Sequence, residues 1–453
     1  MSADEDTIVA IATPPGRGGI GIVRVSGSRA LEIGRTLAGR RLTPRVAHHA
    51  LFRDGAGALL DDGLVIAFEG PRSFTGEDVV EFQGHGGPVV LQGVVSACLA
   101  LGARHARPGE FTERAFLNDR LDLVQAEAIA DLIDAGSEAA ARGALKSLEG
   151  EFSRRIRALV DELTAVRVYA EAALDFPEEE VDFLADGAIR ERIDALRAAL
   201  WTLQGDAHQG ALLTRGLSMV IAGAPNAGKS SLMNALSRRD TAIVTHLPGT
   251  TRDLLREAID LDGLPLHVVD TAGLRETTDP IEAEGVRRAR DEIARADVLL
   301  FMVDASVETD VPSREQIERS VAAPLPRQTL VVRNKIDLPG VASEPSAGTD
   351  DLARVSISAK TGAGIDHLVS WLKASIGFDG AEHAFSARSR HVAAIARAVA
   401  ALDDGLEVLA GSGAGDLLAE DLRRAQEALG EILGEVSSDE LLGRIFSSFC
   451  IGK

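Results

Sequence analysis

Apolar residues along the chain follow two periods, and the change between them predicts its organisation. Within residues 1–120, short runs such as IVAIAT, IGIVRVS, LVIAF and DVVEFQ carry the texture of strands, punctuated by Gly and Pro. An apolar stretch over 88–102 reads as helix, so this segment predicts an α/β domain. From Leu121 to about Leu213 the apolar positions fall three and four apart, as in LVQAEAIADLIDA and RRIRALVDELTAVRVYAEAAL, which is the period of long amphipathic helices. The same texture returns between Ser386 and Ser447, in HVAAIARAVAALDDGLEVLA and LLAEDLRRAQEALGEILG. Between the two helical blocks lies a compact α/β pattern. The expected organisation is an α/β domain over 1–120 and an all-α domain in two parts, 121–214 and 376–453, interrupted by an inserted α/β domain over 215–375. Insertion is physically reasonable where a loop joins two helices, since the guest's ends can lie close together.

The inserted segment carries the chemistry. GAPNAGKSS, Gly223 to Ser231, follows the apolar run LSMVIA and precedes the helical pattern SLMNALSRR. In a strand, glycine loop and helix of this kind, backbone N–H groups turn inward around phosphates and the helix N-terminus adds to the anion site. Asn226, Ala227, Gly228, Lys229, Ser230 and Ser231 form that loop, with Lys229 reaching the β- and γ-phosphates and the Ser230 hydroxyl ligating Mg²⁺. LPLHVVD then ends in Asp270 and continues through Thr271, Ala272 and Gly273, which offers a carboxylate toward Mg²⁺ and a backbone amide toward the γ-phosphate. TLVVRNKID places Asn334, Lys335 and Asp337 after another apolar strand, where a carboxylate can accept two hydrogen bonds from a guanine edge. Adenine lacks that donor pattern, so a site built for guanine rejects it. Ser358, Ala359 and Lys360 follow VSI as a second base-contacting loop. The four motifs in this order predict GTP rather than ATP, in a Ras-like P-loop GTPase fold, and resemble the order in translation-factor-related small GTPases.

Two positions bear on hydrolysis. A water-orienting Gln often follows the DxxG motif, but here the position is Leu274, whose side chain forms no hydrogen bonds, so another residue must hold the water. The loop HLPGTTRD offers Thr250 and Thr251, and Thr251 is the candidate for a second hydroxyl on Mg²⁺.

Composition narrows the setting. A net charge of −21 argues against a broad phosphate-binding surface, so an RNA partner needs local basic patches. Residues 1–120 hold 13 Arg and no Lys against 14 Asp plus Glu, so nearly all the net negative charge falls on the rest of the chain. No long uncharged apolar run occurs, and the acidic start MSADEDTIVAIATPP is unlike a signal peptide, which leads us to expect a cytoplasmic protein. Cys98 and Cys450 form no CxxC pair, and His85 in QGHGGP has no nearby ligand partners in sequence, so neither a disulfide framework nor zinc is expected.

Several separate segments resemble the tRNA-modification GTPase family known as MnmE or TrmE: TPPGRGGIGIVRVSG, SFTGEDVVEFQGHGGP, RPGEFTERAFLNDRLDLVQAEAIADLIDA, the GTPase insertion and the terminal FCIGK. The resemblance covers nearly the whole length. It implies a folate-binding-like N-terminal domain, a homodimer, and an FAD-dependent partner of the MnmG (GidA) family in a heterotetramer or larger complex. It further implies a folate one-carbon carrier, such as 5,10-methylenetetrahydrofolate, used to modify the wobble uridine of certain tRNAs at carbon five, commonly with a carboxymethylaminomethyl group. Carried over by motif, Asn226 becomes a side-chain ligand for K⁺, with Thr245, Leu247 and Thr250 around the same ion; His246, Pro248 and Gly249 complete a nucleotide-contacting loop. A cation there does the work of an arginine finger. Asn226 could instead cap the glycine loop.

Glu282 in DPIEAEG becomes the residue that orients the attacking water, although a solvated helix start is the plainer reading and Glu284 stands close by. Folate contacts map to Arg24, Glu81, Arg120 and Lys453: a carboxylate suits the donor edge of a pterin and cations suit a glutamate tail. Each could equally be a surface charge. Position 120 is often Lys in the family, and a long basic residue often stands where this chain has Ala224. Cys450 is a candidate for the one-carbon chemistry, against the alternative of a buried small hydrophobe. A competing reading of the whole chain is a regulatory or ribosome-assembly GTPase without tRNA-modifying activity, against which the absence of an obvious KH-like GXXG module counts.

Overall fold

The structure, a computed structural model, describes residues 6–175, 187–237, 256–270, 287, 290–308, 310–341, 352–380, 385–411, 415–435 and 439–452. It divides into two units.

The first unit comprises Met1–Ala130, Phe152–Thr164 and Arg423–Lys453. Its sheet is built from β1 (Ile8–Ile11), β2 (Gly18–Ser26), β3 (His48–Arg53), β4 (Leu59–Phe68), β5 (Val79–Gly86) and β6 (Arg104–His105), in the order β3-β4-β5-β2-β1-β6. All neighbours are antiparallel except β1 and β6. Alternation along the strands sorts the side chains. Val9, Val23, Val25, Val65, Val80 and Phe82 face a core closed by Ile33 and Leu37 of helix Ala30–Ala38 and by Val94 and Val95 of helix Pro88–Ala100. Ile8 and Ala10 point the other way, toward Ala106 and Phe111. Within the first core Phe52 meets Phe82 edge-on at 5.3 Å, a geometry worth about 0.5–1.5 kcal/mol beyond burial.

Strand β3, HHALFR, lies outside the strand runs read from sequence. Its two histidines and arginine read as polar, yet Ala50 and Phe52 alternate inward and the strand pairs with β4 at the sheet edge. At the other end of the chain, helix Asp439–Ser447 brings Ile445 and Phe446 against Leu123, Ala126 and Phe449. The final turn is held tightly: a Cβ on Gly452 would stand 2.3 Å from the Ile11 carbonyl oxygen, and Gly452 has φ 98.

Charges buried in this unit are paired. Glu110 is 1% exposed and takes hydrogen bonds from Arg104 Nη1 at 2.9 Å and from the Arg107 backbone N–H at 2.7 Å. Burial pushes its carboxyl up, but those bonds and charges outweigh it and hold the group down at about 2. Arg114, also buried, bridges Asp6 and Glu77.

The second unit comprises Asp131–Glu151 and Ala165–Leu422. Its sheet runs β12 (Ala353–Ser356), β11 (Gln328–Asn334), β10 (Val298–Asp304), β7 (Leu217–Gly223), β9 (Leu264–Asp270), β8 (Arg256–Leu261). It is parallel throughout except for the β8–β9 edge hairpin. Parallel strands covered on both faces read as continuous apolar runs rather than as alternation. Accordingly Met219, Ile221, Leu300 and Val332 enter one core while Val220, Leu299, Phe301 and Val331 enter the other. Helices Lys229–Ser237, Arg314–Val321 and Ile365–Ser375 accompany this sheet, and the last buries Leu368 and Leu372 on the first of those cores. The long helix Ala188–Arg215 leads directly into β7, and its Arg197 pairs with Asp403 of helix Ser389–Gly411 at 3.1 Å. An α/β N-terminal part, long helices and an α/β insertion with a parallel sheet match the fold class expected from sequence.

The β8–β9 tip is fastened to the start of helix Glu138–Leu148. Ser137 caps that helix by accepting the Ala140 N–H, and its hydroxyl donates to the Gly263 carbonyl at 3.1 Å. Ala139 and Ala140 join the core of the parallel sheet.

Candidate guanine-nucleotide site

In open parallel sheets, ligands collect at the C-terminal strand ends where the strand order changes direction. Here β7 is central, with β9 on one side and β10 on the other, so the loop after β7 occupies that crevice. Two glycines shape the loop. Gly223 has φ 142, and a Cβ there would stand 2.2 Å from the Met302 carbonyl oxygen; Gly228 has φ 100, and its Cβ would stand 2.2 Å from Asn334 Nδ2. Asn226 between them takes φ 65, the left-handed region in which Asn is among the better-tolerated residues. The Lys229 ammonium donates to the Gly223 and Ala224 carbonyls at 3.0 and 3.1 Å, which arches the lysine over the loop.

The NKID segment closes the crevice from the other side. Asn334, 3% exposed, donates through Nδ2 to the Ala227 carbonyl at 2.8 Å and accepts the Ala359 N–H on Oδ1 at 2.9 Å. One side chain therefore links the phosphate loop, the end of β11 and the SAK loop. Ser358 is fully buried; its hydroxyl donates to Asp337 Oδ1 at 2.7 Å and accepts the Thr361 N–H at 3.1 Å. That hydroxyl bond lowers the Asp337 pKa below the ordinary carboxylate value, against a smaller opposing effect of burial. Asn226, Gly228, Lys229, Ser230, Ser231, Asn334, Lys335, Asp337, Ala359 and Lys360 line a single cleft of about 1100 Å³. Ala227 lies buried beneath it.

The Ser230 hydroxyl suits Mg²⁺. Ser230 offers a hydroxyl on the cleft wall, and Asp270 ends β9 in register with Ile221 of β7, immediately before the loop. Hard oxygen donors are what that ion takes. Thr245, His246, Leu247, Pro248, Gly249, Thr250, Thr251, Thr271, Ala272, Gly273, Leu274 and Glu282 lie outside the described residues, as does Lys453.

In the first unit, Arg24 and Glu81 face each other across β2 and β5 and form an ion pair at 2.9 Å. The Arg24 guanidinium also lies 5.4 Å from the Phe74 ring and 5.7 Å from the Phe111 ring. Sequence reasoning gave the carboxylate and the cation separate ligand contacts and missed that the strand register joins them. Arg120 is exposed, and its Cγ lies 3.3 Å from where a Gly76 Cβ would stand, on the loop that carries Phe74. Cys450 is exposed, which removes the alternative of a buried hydrophobe; its carbonyl accepts the Gly109 N–H at 3.3 Å. His85 pairs with Asp61 at 2.7 Å. Among the described residues no group of three or more His, Cys, Asp or Glu could hold a metal, and no helix is long and apolar enough to cross a membrane.

A parallel sheet with this phosphate loop, and with NKID and SAK converging on one cleft, defines a P-loop GTPase. Residues 7–120 match the model described as GTP-binding protein TrmE N-terminus, and residues 123–450 match that of the MnmE helical domain. The chain is 56% identical to the tRNA modification GTPase MnmE of Chromohalobacter salexigens, covering 99% of this chain and 98% of that one. It is 57% identical to that of Pseudomonas paraeruginosa, covering 100% of both. Among solved structures, it is similar to a point variant of Aquifex aeolicus Era bound to GDP and AlF4⁻, at 27% identity and a TM-score of 0.27, covering 41% of this chain and 66% of that one. The protein belongs to the MnmE family of tRNA modification GTPases.

Proposed function

We propose that this protein hydrolyses GTP in the cleft of Lys229 and Asp337 and couples hydrolysis to modification of certain tRNAs at carbon five of the wobble uridine. The observation that carries the reading is Asn334, one buried side chain bonded to both the phosphate loop and the base-reading loop, in a chain of this family. Lys229 holds the β- and γ-phosphates, Asp337 accepts from the guanine edge, and Glu282 orients the attacking water in place of Leu274. Ser230 and Thr251 hold Mg²⁺; Asn226, Thr245, Leu247 and Thr250 hold K⁺. When bound, the two ions supply positive charge opposite the transferring phosphoryl group.

The N-terminal domain, residues 1–120, takes a tetrahydrofolate through Arg24, Glu81, Arg120 and Lys453, with Cys450 close to the one-carbon chemistry. The helical parts are 121–214 and 376–453, the GTPase domain 215–375. The chain works in the cytoplasm as a homodimer with an FAD-dependent partner of the MnmG type, installing a carboxymethylaminomethyl-type group. Support for these finer roles comes from motif correspondence with the family.

The test is nucleoside mass spectrometry of tRNA from a strain lacking this gene. Loss of the modified wobble uridine, restored by the wild-type chain and not by Lys229→Ala, supports the proposal; an unchanged wobble uridine favours a regulatory or ribosome-assembly GTPase. Potassium dependence is read from turnover in KCl and NaCl at equal ionic strength, where equal rates defeat that role. Glu282→Ala is expected to lose turnover while fluorescent-nucleotide affinity holds.

A further inference from the structure

Asp304 ends β10 directly beside Asn334 of β11 in the strand register. Its Oδ2 accepts from the Lys335 ammonium, while Oδ1 takes the Ser306 N–H at 3.0 Å and the Ser306 hydroxyl at 2.6 Å. The turn after β10 thus immobilises the carboxylate, and the carboxylate immobilises the lysine. Lys335 itself has φ 70, a left-handed conformation that a non-glycine residue keeps only where its surroundings impose it. Its side chain lines the cleft between Asn334 and Asp337.

We propose that Asp304 is a positioning residue for guanine nucleotide: by holding the Lys335 ammonium, it keeps the aliphatic stem of that lysine preformed as a wall of the base-binding cleft. The proposal rests on the reading that this cleft takes a guanine nucleotide. Lysine carries one of the largest rotamer entropies of any side chain, and a ligand that must order it binds less tightly. With the ion pair in place, that ordering precedes binding. Asp304 touches neither phosphate nor base in this scheme, so its loss weakens binding without slowing the chemical step.

The experiment measures fluorescent-GDP affinity and saturated GTP turnover on the full chain. Asp304→Ala is expected to raise Kd about three- to tenfold, with kcat changed by less than about twofold. Asp304→Asn, which keeps one acceptor oxygen where the carboxylate has two and so serves Ser306 or the Lys335 ammonium but not both, loses about two- to threefold. In a Lys335→Met background, which keeps the stem and removes the ammonium, either Asp304 change is expected to move Kd by less than about twofold. An unchanged Kd, a loss confined to kcat, or an equal loss in the Lys335→Met background overturns the proposal. Where Asp304→Ala does not fold, the same cycle with Asp304→Asn decides it. Wild-type protein that binds no guanine nucleotide overturns the site reading itself, an outcome visible before any variant is made.

Discussion

The side-chain amide of Asn334 donates to the carbonyl of Ala227 at 2.8 Å, so the residue that ends β11 also braces the phosphate loop after β7. Its oxygen takes the Ala359 N–H, and the side chain is buried. Asn334→Ala removes both bonds and leaves Ala227 O and Ala359 N–H without them, at about 1–3 kcal/mol for each buried group left unsatisfied. Affinity for fluorescent GDP is expected to fall at least about tenfold. Binding within about twofold of wild type would show that the two loops hold their places without this residue.

Gly228 leaves room for the same amide. A Cβ at Gly228 would stand 2.2 Å from Asn334 Nδ2, at a φ of 100 that suits glycine alone. Gly228→Ala is therefore expected to weaken GDP binding at least as much as Asn334→Ala. Because both changes strike one contact, the double variant should be no worse than Gly228→Ala alone. Additive losses in a binding cycle would place the damage elsewhere in the loop.

The proposed reading of the base falls on Asp337 and on Ser358 behind it. Asp337→Asn exchanges a pure acceptor for a mixed group and is expected to lower GTP-over-ATP discrimination by at least about tenfold in a competition assay. Ser358→Ala leaves the carboxylate but removes the hydroxyl that orients it and lowers its pKa, so a smaller loss in the same direction is expected. Undiminished discrimination in Asp337→Asn would contradict the assignment of the base.

What could be read from the chain beforehand follows from where the contacts are made. GAPNAGKSS, NKID and SAK were legible because short contiguous segments place the groups that line the cleft. Continuous apolar runs such as LSMVIA announced buried strands for the same local reason. The Arg24–Glu81 pair was not legible, since the two residues stand 57 apart and meet only through the β2–β5 register. Asp304 escaped notice likewise: nothing in VLLFMVD says that its last residue will face Lys335. Strand β3 was hidden because an edge strand buries only alternate residues, and its other positions are two histidines, a leucine and an arginine.

Glu110 gives the first unit a stability signature in acid. Its carboxyl is almost wholly buried and held at about 2, against an ordinary value of 4.5: burial pushes it up, while Arg104, the Arg107 N–H and the surrounding positive charge push it further down. A depressed folded-state pKa stabilises the fold fully above the unfolded value, and that contribution is lost as pH falls from about 4.5 toward 2. The size is on the order of 3 kcal/mol. Glu110→Gln keeps the shape and lacks the charge, so it should unfold at lower urea concentration than wild type at pH 7. The gap should narrow below about pH 4.5 and nearly close by about pH 2. Carboxylates that share no partner with Glu110 titrate alike in both proteins and cancel in the difference, whereas Asp6, which shares Arg104 and Arg114 with it, does not. A gap that stays constant from about pH 7 to about pH 2.5 would mean that the Glu110 charge contributes nothing and that packing alone accounts for the loss.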